Sequence, residues 1–242
     1  MIASPGIREG CRGALHAALD FVLPRACVSC ERLLAPGDSG VVCGACWARL
    51  SLLPAPRCER CGHPLRPRGC KWCAALPPYV RAVRSVCWMP GTTAAAIVHA
   101  LKYGGWTAAA VGMAERMARL TWPLDVVDER TALVPVPLAR ARERERGFNQ
   151  SALIARGLSA RWGVPVWDEC LMRVRPTETQ TRLTPDQRRR NVAAAFQATP
   201  ARGALRGAHL VLVDDVLTTG ATLAQCASVL FAGGARIISY VT

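Results

Sequence analysis

Val211-Leu212-Val213-Asp214-Asp215-Val216-Leu217-Thr218-Thr219-Gly220-Ala221-Thr222 is the stretch on which the reading of this 242-residue chain turns. An apolar run ends in two adjacent carboxylates. A small, hydroxyl-rich loop follows, and then a helical pattern over 221–231. A short apolar run bounded this way reads as a buried strand. Neighbouring side chains on a strand point to opposite faces, so the chain must turn at Asp214-Asp215 if both are to reach one ligand. Backbone amides at a helix N-terminus bind phosphate. Thr218, Thr219 and Thr222 add hydroxyl donors, Ala221 opens the helix, and Gly220 permits close backbone approach. Carboxylates repel a phosphate, but they accept hydrogen bonds from the 2′ and 3′ hydroxyls of a ribose. The expected ligand is therefore a ribose 5-phosphate moiety at the carboxyl edge of a parallel sheet. The stretch contains neither G-x4-G-K-[ST] nor G-x-G-x-x-G, so a P-loop and a dinucleotide fingerprint are set aside.

Outward from this segment, strand patterns over 80–88, 132–136, 209–213 and 237–241 alternate with helical patterns over 92–101, 106–120, 149–162 and 221–231. Gly163-Val164-Pro165 leads into a further extended stretch. Alternating strands and helices imply right-handed βαβ units and a parallel sheet, an α/β fold. Residues 174–191 are polar, lack apolar periodicity and read as a long loop.

The N-terminal third has another character. Eight of twelve cysteines form four CxxC pairs: Cys27 and Cys30, Cys43 and Cys46, Cys58 and Cys61, Cys70 and Cys73. A CxxC knuckle presents two sulfurs at once, and two knuckles close one tetrahedral Zn²⁺ site with no open position. Four knuckles imply two structural zinc ions. Sequential pairing is the simpler assignment, and an interleaved one stays open at this point. His63, just after Cys61, reads as a bystander rather than a ligand. Residues 1–24 carry a stripe of Ile7, Cys11, Leu15, Leu19 and Val22 at helical spacing. The expected organisation is a helix over 1–24, a double zinc ribbon over 25–78 and an α/β domain over 79–242.

The formal net charge is +14, with 31 basic residues of which only Lys71 and Lys102 are lysines. Such a field favours phosphates, nucleotides or nucleic acid. No stretch approaches the ~18 apolar residues of a membrane span. The apolar run over 15–23 is interrupted by Asp20, unlike a secretory signal. A cytoplasmic address is expected.

The segment from Val211 to Thr222 resembles the signature of the type I phosphoribosyltransferases. Leu101-Lys102-Tyr103-Gly104, Val134-Pro135-Val136-Pro137, Arg146-Gly147-Phe148-Asn149-Gln150 and Thr179-Gln180 with Arg188 and Asn191 together are similar to the ComF family. That resemblance implies an N-terminal double zinc ribbon joined to a phosphoribosyltransferase-like domain. It places pyrophosphate at the loop Pro135, Val136, Pro137 to Arg140, with Arg146 nearby. It makes 174–191, including Gln180 and Arg188, a segment closing over the ligand. Asp214 and Asp215 would be the catalytic pair, and Mg²⁺ would accompany phosphoribosyl pyrophosphate. It also links the family to uptake of single-stranded DNA in natural transformation, with a DNA-uptake helicase as a partner. A catalytic phosphoribosyltransferase of nucleotide or base metabolism is the alternative. For Arg140 to Arg146 a solvated charged face competes with a pyrophosphate role. For Lys102 a helix C-terminal cation competes with one.

Overall fold

Alternation of side chains along each strand sorts the core into two layers. In the computed structural model, which describes residues 25–35, 38, 40–65, 70, 72–89, 91–174, 195–199 and 205–242, the central sheet has four parallel strands. These are β1 (Val80–Arg84), β2 (Arg130–Pro135), β5 (His209–Val213) and β6 (Ile237–Val241), in the order β1-β6-β5-β2. Leu210 and Leu212 of β5 face one layer, with Ala132 and Val134 of β2 and Ile238 and Tyr240 of β6. Val211 and Val213 face the other, with Leu133 and Val241. Every residue of β5 is buried, as a strand covered on both faces requires.

Helices α2 (Thr92–Tyr103), α3 (Ala108–Ala118) and α6 (Gln150–Trp162) supply Ile97, Leu101, Met113, Ile154 and Leu158 to one layer. Helix α7 (Ala221–Ala232) and an antiparallel pair, β3 (Leu171–Arg173) with β4 (Phe196–Ala198), supply Leu223, Leu230, Leu171 and Phe196 to the other. The parallel-sheet α/β architecture expected from the sequence stands, with a small N-terminal cysteine-rich module beside it.

Several elements differ from expectation. The strand expected over 80–88 leaves the sheet after Arg84. Beyond it Val86 still donates to Thr242 O (3.0 Å), but Trp88 donates its amide to Ser51 O (2.8 Å) and Cys87 bridges Leu52, so the segment turns to the cysteine-rich module. The extended stretch after Pro165 is a single parallel bridge of Val166 to Leu133. The expected loop after β2 contains helix α5 (Arg140–Arg146), and α4 (Leu124–Glu129) precedes β2. Helix α5 buries no residue, so it has no apolar stripe to betray it; its arginines and glutamates are good helix formers. The expected helix over 1–24 lies outside the described residues, as does the polar stretch after Val174 with Gln180 and Arg188.

The cysteine-rich module is locked onto the α/β domain. Its short helix α1 (Gly44–Ala48) carries Trp47, whose ring lies where a Cβ on Gly112 of α3 would stand 2.5 Å away. Arg116 stacks its guanidinium over the same ring, 3.5 Å from the centroid. Gly62 has φ +71°, and a Cβ there would meet Val83 O at 2.4 Å. Arg60 donates to the carbonyls of Val80 (3.1 Å), Leu76 (3.1 Å) and Pro77 (2.7 Å), tying the second ribbon to the start of β1. No described helix is long and apolar enough to cross a membrane.

Candidate functional site

The eight CxxC cysteines gather into two quartets, Cys27, Cys30, Cys43 and Cys46, and Cys58, Cys61, Cys70 and Cys73. Within each, the sulfurs lie within 4.8 Å of one another. A Zn²⁺ with bonds of about 2.3 Å needs sulfurs about 3.8 Å apart, and Cys30 and Cys43 Sγ are 3.8 Å apart. The donor set is four thiols with no carboxylate or imidazole, so the quartets fit structural zinc. Pairing is sequential, which closes the interleaved alternative. Amides support the sulfurs: Cys43 N donates to Cys27 Sγ (3.4 Å) and Cys46 N to Cys43 Sγ (3.4 Å). Burial acts to raise the Cys27 thiol, but hydrogen bonds from the Cys43, Ser29 and Cys30 amides outweigh it and draw it down to about 6. One ligand of this quartet is thus a ready thiolate near neutral pH. His63 belongs to neither quartet and instead stacks on Trp72, centroids 4.7 Å apart.

The second centre lies at the carboxyl end of β5. The strand stops at Val213, where the chain turns, and both following carboxylates meet the first turn of α6. Ser151 Oγ donates to Asp214 Oδ1 (2.9 Å), and Gln150 Nε2 donates to Asp215 Oδ1 (3.1 Å). Asn149 caps α6 by accepting from Ser151 N (3.0 Å), and its side-chain amide donates to Val136 O (3.1 Å). One short polar turn therefore holds the loop after β2 beside the turn after β5. Val136 N donates to Val213 O (3.0 Å), which places Pro135, Val136 and Pro137 directly alongside Asp214.

Lys102, in the last turn of α2, puts Nζ 2.5 Å from Asp215 Oδ2. Arg146 donates to Gln150 Oε1 and lies over the Tyr103 ring, 5.6 Å from its centroid. The Lys-Tyr, Arg-Gly-Phe-Asn-Gln and Asp-Asp segments are thus one hydrogen-bonded network. Arg140 stands apart, exposed at the start of α5 with its guanidinium on Met172 Sδ of β3 (3.7 Å). Gln180 and Arg188 lie outside the described residues.

Asp214 keeps partial access to solvent but sits in dense protein surroundings. Desolvation and the neighbouring Asp215 charge push its carboxyl up to about 7, against Lys102, the Asp215 amide and the Ser151 hydroxyl. The loop beyond is open, with Thr218 and Thr219 exposed. Gly220 caps α7 at φ 74°, a left-handed conformation that a side chain resists, and Thr219 Oγ1 accepts from Ala221 N (3.4 Å). Sequence reasoning did not single out Ser151 and treated Gln150 only as part of a motif. The usable signal was position: Asn149 is a good N-cap, so the next two residues begin a helix aimed at the β5 turn.

A family model described as a double zinc ribbon domain matches residues 18–77. The DNA utilization protein YhgH of Escherichia coli O157:H7 is 34% identical over 228 residues, spanning 90% of this chain and 96% of the relative. Competence protein F of Haemophilus influenzae is 35% identical over 118 residues, 49% of this chain and 50% of that protein. Competence protein ComFC of Bacillus subtilis is 34% identical over 96 residues, 40% and 36% of the two chains. This chain belongs to the ComF family. The double zinc ribbon match and the parallel-sheet α/β domain lie on one chain. A solved glutamine phosphoribosylpyrophosphate amidotransferase from B. subtilis, complexed with ADP and GMP, matches with a TM-score of 0.37 at 19% identity over 55% of this chain and 25% of the other. That likeness is too distant to bear on ligand or activity.

Proposed function

We propose that this ComF protein binds phosphoribosyl pyrophosphate at the turn after β5 and serves the handling of single-stranded DNA during its uptake. The reading is carried by the convergence of Lys102, Arg146, Gln150, Ser151, Asp214 and Asp215 beside an open Thr218-Thr219-Gly220 turn that leads into α7 at Ala221. In this reading the amides of Gly220, Ala221 and Thr222 and the threonine hydroxyls take the 5-phosphate. Asp214 and Asp215 accept from the ribose hydroxyls. Pro135 to Pro137, with Lys102 and Arg146 close by, face the pyrophosphate, and Arg140, turned toward Met172, takes no part in this arrangement.

Mg²⁺, when bound with the ligand, would neutralise pyrophosphate charge, and the carboxylates here are the hard oxygen donors it prefers. Where transfer occurs, the sugar gains positive charge as pyrophosphate departs. No side-chain nucleophile is needed. Asp214 and Asp215 would orient the ribose and offset that charge, while Arg146 and Lys102 would steady the leaving group. A catalytic phosphoribosyltransferase is the second reading, supported by the same carboxylate pair. The relatives named for DNA utilization and competence favour the DNA-handling role, and a DNA-uptake helicase is the partner we propose for it. Calorimetry with phosphoribosyl pyrophosphate and Mg²⁺ tests the binding: saturable binding that D214N/D215N abolishes supports it, and equal binding by both proteins refutes it.

A further inference from the structure

The two carboxylates after β5 are not equivalent. Asp214 accepts from Ser151 Oγ (2.9 Å) and from the Asp215 amide (2.9 Å) on a single oxygen, Oδ1, and the residue keeps partial access to solvent. Asp215 uses both of its oxygens. Oδ1 accepts from Gln150 Nε2 (3.1 Å), Oδ2 pairs with Lys102 Nζ (2.5 Å), and the side chain is 3% exposed. A ribose hydroxyl can reach Asp214 directly. Asp215 is closed to it until one of those two contacts gives way.

The two contacts differ in how easily they yield. Gln150 is held by charge on both sides. Its Oε1 accepts from Arg146 and its Nε2 donates to Asp215, so a flipped amide would turn N–H toward a cation and oxygen toward a carboxylate. It also sits in the first turn of α6, 5% exposed. Lys102 is the looser partner. It lies in the last turn of α2, its side chain is 24% exposed, and its ammonium sits on a flexible four-carbon stem. The ion pair is therefore sealed at the carboxylate and open at the ammonium.

A pyrophosphate carries more charge than one carboxylate and competes for the same ammonium. Lys102 swinging onto it would free Asp215 Oδ2 for a ribose hydroxyl, while Gln150 keeps the carboxylate in place. A ligand without the pyrophosphate brings nothing that draws Lys102 away.

We infer that the ion pair of Lys102 with Asp215 is a latch that the ligand's pyrophosphate opens, so that the grip of Asp215 on the ribose is coupled to an anion at the sugar's C1. This rests on the phosphoribosyl pyrophosphate reading above and gives it a source of specificity. Ribose 5-phosphate reaches the same turn but engages one carboxylate in place of two.

Calorimetry on the zinc-loaded full chain with Mg²⁺ tests the latch, with phosphoribosyl pyrophosphate, ribose 5-phosphate and inorganic pyrophosphate as probes. Saturating pyrophosphate should tighten ribose 5-phosphate binding about tenfold, an ordinary size for coupled sites, and the reverse experiment should give the same factor. K102M should separate the ligands. Phosphoribosyl pyrophosphate should bind it about tenfold more weakly, as loss of a charge-assisted contact does. Ribose 5-phosphate alone should bind it at least as tightly as it binds the wild type, and pyrophosphate should no longer help. K102R, which keeps the cation, should keep the coupling. The wild-type coupling needs no variant, so it decides the matter even where K102M fails to fold. Independent binding of ribose 5-phosphate and pyrophosphate to the wild type, or parallel weakening of both sugar ligands in folded K102M, would overturn the latch and leave the phosphosugar site standing. Failure of phosphoribosyl pyrophosphate to bind the wild type would overturn the preceding proposal and the latch with it.

Discussion

Lys102 Nζ lies 2.5 Å from Asp215 Oδ2, and Asp215 is 7% exposed. One of the chain's two lysines is thus spent on one of its two signature aspartates. The pair fixes Lys102 beside the turn after β5.

Removing one partner of a buried ion pair strands the other, typically at a cost of about 3–5 kcal/mol. K102M should therefore lower the thermal midpoint clearly. K102M/D215N should regain much of that loss, because the orphaned carboxylate is gone. Thermal unfolding of the two variants checks this; equal destabilisation by both would contradict the pairing.

The zinc quartets predict two zinc ions per chain. C43S should lower the content to about one, because the quartet of Cys58, Cys61, Cys70 and Cys73 is separate. Trp47 lies one residue after Cys46 and docks on Gly112, so the loss should also shift tryptophan fluorescence. Metal analysis of C43S that still finds two ions would contradict the sequential pairing.

His209, 1% exposed, bonds to Ser239 Oγ (2.9 Å). Burial drives its imidazole down to about 4 from an ordinary 6.5. The unfolded chain then binds the extra proton between these values, so stability falls as pH drops from about 6.5 to about 4. The full effect is roughly 3 kcal/mol. H209Q keeps a partner for Ser239 and lacks the titration, so the stability difference between wild type and variant should shrink with acid over this window. A constant difference would contradict the buried neutral imidazole.

Asp214 shifts the other way. Its carboxyl stays protonated up to about 7, so the folded chain holds a proton that the unfolded chain releases near 3.8. This group loses stabilising influence as pH rises between those values. A protonated-carboxyl band in the infrared should be present at pH 6, fade by pH 8, and be missing in D214N. The same spectrum in wild type and D214N would contradict the assignment.

Much of this was legible in the sequence because burial and local chemistry agree. Strands β5 and β6 coincide with the apolar runs over 209–213 and 237–241, since strands covered on both faces cannot hide their pattern. The cysteine spacing announced the eight thiols of two sites because knuckle geometry is local, while the choice of sequential over interleaved pairing came from the structure. Three things were illegible for physical reasons. Helix α5 buries nothing and so leaves no periodic signal. The exit of β1 toward Ser51 and Leu52 depends on a neighbour from another part of the chain. The bonds of Gln150 and Ser151 to Asp215 and Asp214 span 65 and 63 residues, a separation that no local pattern encodes.

The central claim is that the Asp214-Asp215 turn grips a phosphosugar. Isothermal calorimetry of phosphoribosyl pyrophosphate with Mg²⁺ against wild type and D214N/D215N, both carrying two zinc ions, measures it directly. The account predicts saturable binding by the wild type and none by the variant; no binding by a folded wild type, or equal binding by both, would contradict it.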